Sequence, residues 1–310
     1  MKYTILGAGG SIGNALTHTL LEKGEEVRLV SRSKHTIEGT ESVRGDLTSY
    51  ADTLEGVKQS DIVYLCAGLP YDAKVWKANW PKIMRNTIDA CKETGAKLIF
   101  FDNVYMYGKV AGIMTEETPY HPISKKGEVR AEIAKLLEEE MAKGNINAII
   151  ARAADLYGPY GSTATSIPHM MVFDRLMQHK RAQWMVDINQ PHSYTYIPDC
   201  ADGLYLLAND DAAWNQVWHL PTHSPAIDGK SFIRIAAHEL GVEAKYSVLT
   251  KPLMRMGTLF SRIAAEAYEM LYQNEFPYYF DSSKFNSHFN YLPTTYQEGI
   301  KETIGLLKQG

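Results

Sequence analysis

The sequence predicts a doubly wound α/β fold (a Rossmann fold), in which a parallel sheet is covered by helices on both faces and a smaller C-terminal lobe lies beside it. Three observations carry this expectation. A glycine-rich run, Gly7-Ala8-Gly9-Gly10-Ser11-Ile12-Gly13, lies between the apolar stretch at residues 3–6 and a segment, 14–23, with apolar residues at helical spacing. Strand-like and helix-like segments then alternate as far as Ile150. After Arg152 the pattern loosens into pieces rich in proline, tyrosine and glycine, such as Tyr157-Gly158-Pro159-Tyr160-Gly161, which marks a substrate lobe.

Taken in order, Glu26-Val27-Arg28-Leu29-Val30 reads as the second strand, and Ser42-Val43-Arg44-Gly45-Asp46 as a third that ends in a short acidic turn. Asp61-Ile62-Val63-Tyr64-Leu65-Cys66 is apolar almost throughout, as a strand covered on both faces must be. Ala67-Gly68 ends it with small residues, where a ligand must lie close. A helix over 75–94 leads to a fifth strand at 97–101, and a helix over 126–143 leads to a sixth at 146–150. The chain divides into residues 1–155, a dinucleotide-binding core, and 156–310, a mixed segment that completes the core and forms the lobe.

A chain of 310 residues, 45% apolar and 22% charged, is long enough to bury a full core. Its formal charge of −4, with no long basic block, argues against nucleic acid or an acidic membrane surface as the main partner. Cys66, Cys91 and Cys200 are few, odd in number and set in apolar or helical contexts, so they read as reduced core cysteines. No apolar run approaches membrane-spanning length and no signal peptide precedes the first strand, so a cytoplasmic protein is expected. His169, His179, His192 and His219 lack metal-ligand spacing, and no metal site is expected. Trp76, Trp80, Trp214 and Trp218 read as packing, and Glu138-Glu139-Glu140 as a solvated helix face.

The glycine run points to a ligand. A tight turn between a first strand and a first helix is where a dinucleotide's pyrophosphate sits. One glycine permits the turn, another lets the backbone approach the phosphates, and a third lets the helix pack on the strand. Gly7, Gly9, Gly10, Ser11, Ile12 and Gly13 are therefore expected to hold NAD or NADP. At the end of the second strand an NAD site usually offers a carboxylate to the ribose hydroxyls, but here the chain reads Ser31-Arg32-Ser33-Lys34. A guanidinium and two hydroxyls suit a 2′-phosphate and no acid repels it, so NADP is favoured over NAD. In this fold, ligands bind beyond the carboxyl ends of the strands. That places Ala67 and Gly68, residues 102–108 and residues 153–159 along one cleft.

These residues resemble the extended short-chain dehydrogenase/reductase superfamily, which includes nucleotide-sugar epimerases and dehydratases. The resemblance rests on Gly7, Gly10 and Gly13, on Gly45-Asp46-Leu47, and on residues 102–108. It rests also on Arg152 with Tyr157-Gly158-Pro159, and on Tyr196-Ile197-Pro198-Asp199-Cys200-Ala201 before a late helix. Val217-Trp218-His219-Leu220-Pro221 and residues 269–281 look like a subgroup described as NAD-dependent epimerase/dehydratase-like. The resemblance implies that Asp46 and Leu47 flank the adenine.

The departure from that superfamily lies in its catalytic residues. There, a Ser or Thr after the fifth strand orients the substrate, while a Tyr-x-x-x-Lys pair on the next helix exchanges the proton and holds the nicotinamide ribose. Here the three positions hold Asn103, Lys126 and Arg130. Lys126 and Arg130 are four apart and share a helix face, so their heads are expected to lie close, with Lys126 exchanging the proton and Arg130 contacting cofactor. Asn103 retains a donor for a carbonyl oxygen. Tyr105 is a second candidate acid, which would reach the cleft if its segment is extended, whereas Tyr107 reads as packing and Tyr157 either as lining the lobe or as packing against Pro159. The expected activity is hydride transfer at a carbonyl or carbinol of a sugar nucleotide or another polar small molecule, by a monomer or a homodimer. The alternative is a non-catalytic NADP(H)-binding sensor or partner-binding protein.

Overall fold

Seven strands make up the central sheet: β1 (Lys2–Leu6), β2 (Glu26–Ser31), β3 (Glu41–Arg44), β4 (Ile62–Leu65), β5 (Lys97–Asp102), β6 (Ala148–Arg152) and β7 (Gln216–His219). All pair in parallel, in the order β3-β2-β1-β4-β5-β6-β7. The structure, a computed structural model, describes residues 1–164 and 166–309. Successive strand residues point to opposite faces. Ile5, Leu29, Tyr64, Ile99 and Ile149 therefore pack beneath α1 (Ser11–Glu22) and α5 (Ile197–Ala208). Leu6, Val30, Val63, Leu98 and Ile150 pack beneath α2 (Tyr50–Val57), α3 (Ala73–Thr94) and α4 (Lys125–Ala142). The winding reverses between β1 and β4, which opens a crevice above their carboxyl ends.

Two of the boundaries that differ from those read in the sequence bear on the site. Helix α1 begins at Ser11 with Gly10 as its N-cap, because small residues dilute the apolar pattern of the first turn without preventing helix formation. Strand β6 lies at 148–152 because its register is set by β5, Leu98 facing Ala148 and Asp102 facing Arg152. That register matters, since it brings a buried acid and a buried base together. Asp72 caps α3, accepting from Lys74 N at 2.8 Å, and Ser124 caps α4, accepting from Gly127 N at 3.0 Å. Helix α4 then rests directly on the loop after β5: a Cβ on Gly127 would stand 2.6 Å from the Tyr105 carbonyl oxygen.

The lobe has its own core, formed by Phe173, Trp184, Tyr194, Phe232, Tyr296 and Ile300 between α6 (Gly229–Leu240) and α8 (Tyr296–Leu307). Tyr157 belongs to this core, with no exposed surface and its ring against Tyr196, Phe232 and Tyr296. Of its two expected placements it takes the packed one, because the short strand Asp155–Tyr157 turns it inward, though its ring partners are these aromatics. Nor is the acidic run of α4 a uniformly solvated face. Glu140 is buried, binding Lys92 at 2.8 Å and Asn145 at 2.9 Å, and Glu138 accepts from the Tyr120 hydroxyl. Among the described residues no helix is long and apolar enough to cross a membrane.

Candidate active site

The turn after β1 is built to leave room. Gly7 has φ +89, and a Cβ there would stand 2.6 Å from Ala67 N, so the loops after β1 and β4 touch only because that atom is missing. A Cβ on Gly10, by contrast, would meet nothing nearer than the Gly7 carbonyl at 3.9 Å. No side chain caps α1 at Gly10. Its first turn suits a phosphate, which a helix N-terminus attracts through its N–H groups and its dipole. Gly7, Ala8 and Gly10 line a cavity of about 870 Å³ above the sheet. Gly9 faces the His35 ring, Ile12 is buried in the core, and Gly13 lies against Ala8 and Ile5. The run thus divides into positions that form the wall and positions that hold the helix in place.

One end of the cavity is lined by Ser31, Arg32, Ser33, Asp46, Leu47 and Thr48, and its middle by Ala67, Gly68 and Leu69. Arg32 is exposed. Bonds from the Thr48 backbone and hydroxyl hold the Asp46 carboxyl below its ordinary range, and the nearby Arg32 charge adds to this. At the other end stand Trp76, Trp80, Asp102, Asn103, Tyr105, Arg130 and Asp155. The residues present fit a dinucleotide: a glycine cradle, a helix N-terminus with glycine at its cap, small residues at the point of closest approach, and a basic recess.

A buried ionic network forms the floor at this end. Asp102, 1% exposed, accepts from Arg130 Nε at 2.7 Å and again from an Arg130 Nη. Arg152 Nε lies 3.4 Å from its other oxygen. Arg152 also donates to the Tyr107 hydroxyl at 2.8 Å and to Tyr120. The Tyr107 hydroxyl meets His219 Nε2 at 2.8 Å. Burial lifts the Tyr107 phenol to about 12 and pushes His219 down to about 3, so that ring is neutral. Arg130 sits over the Trp80 ring at 4.5 Å. It lines the cavity, and Asp102 holds its guanidinium.

Lys126 is not in the wall. It has no exposed surface, and its Nζ lies 2.5 Å from Glu266, at the end of α7 (Arg262–Tyr268), and 3.2 Å from Glu269 beyond it. It donates also to the Glu266 carbonyl at 3.1 Å. Lys126 and Arg130 share a helix face as their spacing requires, yet different carboxylates take their heads, which do not form the expected cation pair. The glutamates were not anticipated because they come from the lobe, some 140 residues away in sequence.

Asn103 uses Oδ1 to accept from Tyr105 N at 3.0 Å, which holds the 3₁₀ turn Tyr105–Tyr107 and leaves the amide nitrogen to donate. Tyr105 therefore reaches the cavity from a helical turn and not from an extended segment. Its ring stacks on Trp76 at 6.2 Å. Burial raises its phenol well above the ordinary range and the Asp155 charge raises it further, so the hydroxyl keeps its proton at neutral pH. Asp155 lines the cavity and accepts from His192 Nε2 at 2.9 Å. The sequence placed its segment along the cleft without singling it out.

Comparison with known proteins agrees with this architecture. The NAD dependent epimerase/dehydratase family matches residues 3–219. A protein of Bacillus subtilis (strain 168), described as an uncharacterized UDP-glucose epimerase, is 25% identical over 236 residues, covering 66% of this chain and 71% of the other. Among solved structures, UDP-glucuronic acid 4-epimerase from Bacillus cereus with NAD superposes with a TM-score of 0.81 at 19% identity, covering 100% of this chain and 99% of that one. UDP-glucose 4-epimerase from Thermus thermophilus with NAD gives 0.82 at 16% identity, covering 99% of each chain. dTDP-glucose 4,6-dehydratase from Bacillus anthracis with NAD gives 0.81 at 15% identity, covering 100% of this chain and 97% of that one.

Proposed function

This chain belongs to the NAD dependent epimerase/dehydratase family, and from that premise we propose that it is an NADP(H)-dependent enzyme acting at a carbinol or carbonyl carbon of a nucleotide sugar. The observation that carries this reading is the continuous cavity joining the glycine turn to Asn103 and Tyr105. Gly7, Gly10 and the first amides of α1 would hold the pyrophosphate, Asp46 and Leu47 the adenine, and Ala67 and Gly68 would permit close approach. Ser31, Arg32 and Ser33 would take a 2′-phosphate. The solved relatives are NAD complexes, so preference for the extra phosphate is proposed for this chain's own basic recess.

When bound, the nicotinamide dinucleotide takes or gives the hydride. The protein's part is orientation and proton handling. The Asn103 amide and the protonated Tyr105 hydroxyl donate hydrogen bonds to the substrate oxygen, stabilising it as charge develops there. We read Arg130 as fixing Asp102 beneath the site, and Lys126 as a clasp between core and lobe. UDP-glucose, UDP-glucuronic acid and dTDP-glucose, the sugars named for its relatives, are the substrates to test. Conversion of one of them with NADP⁺ or NAD⁺ supports the reading. Dinucleotide binding without any turnover supports the sensor instead.

A further inference from the structure

Among the described residues the cavity wall holds three carboxylates, and two are committed. Asp46 stands at the basic recess and accepts from Thr48 at 2.9 and 2.8 Å. Asp102 is taken by Arg130 and Arg152. The third, Asp155, lies at the end of the cavity that holds Asn103 and Tyr105. Among the described residues no lysine or arginine stands within ion-pair distance of it, and only His192 bonds to its side chain, through Oδ2.

The support behind that carboxylate is buried. His192 is 3% exposed, with its ring stacked face to face on Tyr278 at 4.1 Å and tilted against Tyr194 at 4.6 Å. The pairing of Asp155–Tyr157 with Tyr194–Tyr196 sets Asp155 opposite Tyr194. Because a carboxylate oxygen only accepts, Nε2 is the protonated nitrogen, and it fixes the orientation of the acid. Five phenols feel the Asp155 charge: Tyr71, Tyr105, Tyr194, Tyr272 and Tyr278. Among the described residues nothing bonds to the buried Tyr278 hydroxyl. Among the described residues no other group in this end of the wall is free to accept a proton. Arg130 and Asp102 are ion-paired with each other, and Tyr105 holds its proton.

We propose that Asp155, oriented by His192, is the proton-exchanging group of this enzyme. In the oxidising direction the substrate O–H bond breaks and its proton passes to Asp155 Oδ1, while the hydride leaves the carbinol carbon for the nicotinamide dinucleotide. In the reducing direction both return. The inference rests on the function proposed above and supplies the acid/base group that the family position at Lys126 does not.

Asp155→Asn keeps the size and an acceptor for His192. Turnover of whichever sugar the parent converts should fall by about a hundredfold or more, the usual scale for a general acid/base group. KM and dinucleotide affinity, followed by tryptophan fluorescence, should stay within about threefold of the parent. His192→Gln should lose less, on the order of tenfold, and should displace the pH profile that Asp155→Asn removes. In cofactor-free protein, nitrogen NMR should find His192 Nε2 protonated, with its shift moved in Asp155→Asn. Parent-like turnover in Asp155→Asn overturns the proposal, and so does an unprotonated Nε2. If the parent binds dinucleotide but converts no sugar, the enzyme reading itself fails and takes this inference with it, an outcome distinct from parent-like turnover in the variant.

Discussion

Replacing Lys126 with methionine separates a clasp from a catalytic residue. The ammonium is fully buried and meets both Glu266 and Glu269, with the Tyr71 ring 4.5 Å away. Removing one partner of a fully buried pair costs about 3–5 kcal/mol, because the other charge is left stranded. Here the glutamates retain 14% and 21% side-chain exposure and regain some water, which brings the expected loss to roughly 2–3 kcal/mol. At roughly 2 °C per kcal/mol for a chain of this size, the melting temperature should fall by about 5 °C. Adding Glu266→Gln and Glu269→Gln to the variant should recover part of the loss, since the stranded charges are then gone. Dinucleotide affinity should change little, because Lys126 is outside the cavity wall. If Lys126→Met melts within a degree of the parent and loses turnover by a hundredfold, the lysine exchanges the proton after all and the clasp is wrong.

Two further expectations follow from the geometry. Gly7→Ala should destabilise the fold by more than about 2 kcal/mol, because its Cβ meets Ala67 at a φ that L-residues disfavour. Gly10→Ala should melt like the parent while binding dinucleotide more weakly; equal melting of the two variants would refute the distinction. His219 is buried neutral, its pKa lowered by burial from 6.5 to about 3. A depressed folded pKa gives stability that is present above about 6.5 and lost as pH falls from there towards 3. His219→Gln should flatten the melting-temperature profile in that window, and parallel profiles for parent and variant would contradict the assignment.

Elements whose signal is local were legible in the sequence. The glycine run, the apolar fourth strand and the alternation up to Ile150 depend on neighbouring residues and periodicity, and the sheet follows them. The basic end of β2 and the wall positions Ala67 and Gly68 were found in the same way. What escaped depends on pairing between distant segments. Lys126 reads as a site residue by its place on α4, yet its partners come from residues 266 and 269, and nothing near Lys126 announces them. Asp155 and His192 are 37 apart and meet only because two short strands pair in parallel. Strand β7 joins the sheet from deep in the second half of the chain, beside β6. One signal was available in hindsight: Asp155 is the only carboxylate among residues 153–159, the segment expected to line the cleft.

Calorimetric titration of the protein with NADPH and NADH tests the central claim, a dinucleotide seated between the glycine turn and the basic end of β2. A charged hydrogen-bonded pair contributes about 1.5–3 kcal/mol, so NADPH should bind about tenfold to a hundredfold more tightly, and Arg32→Ala should remove most of that difference. Equal binding of the two by the parent would remove the 2′-phosphate site and leave the dinucleotide cleft. No binding of either would contradict the account.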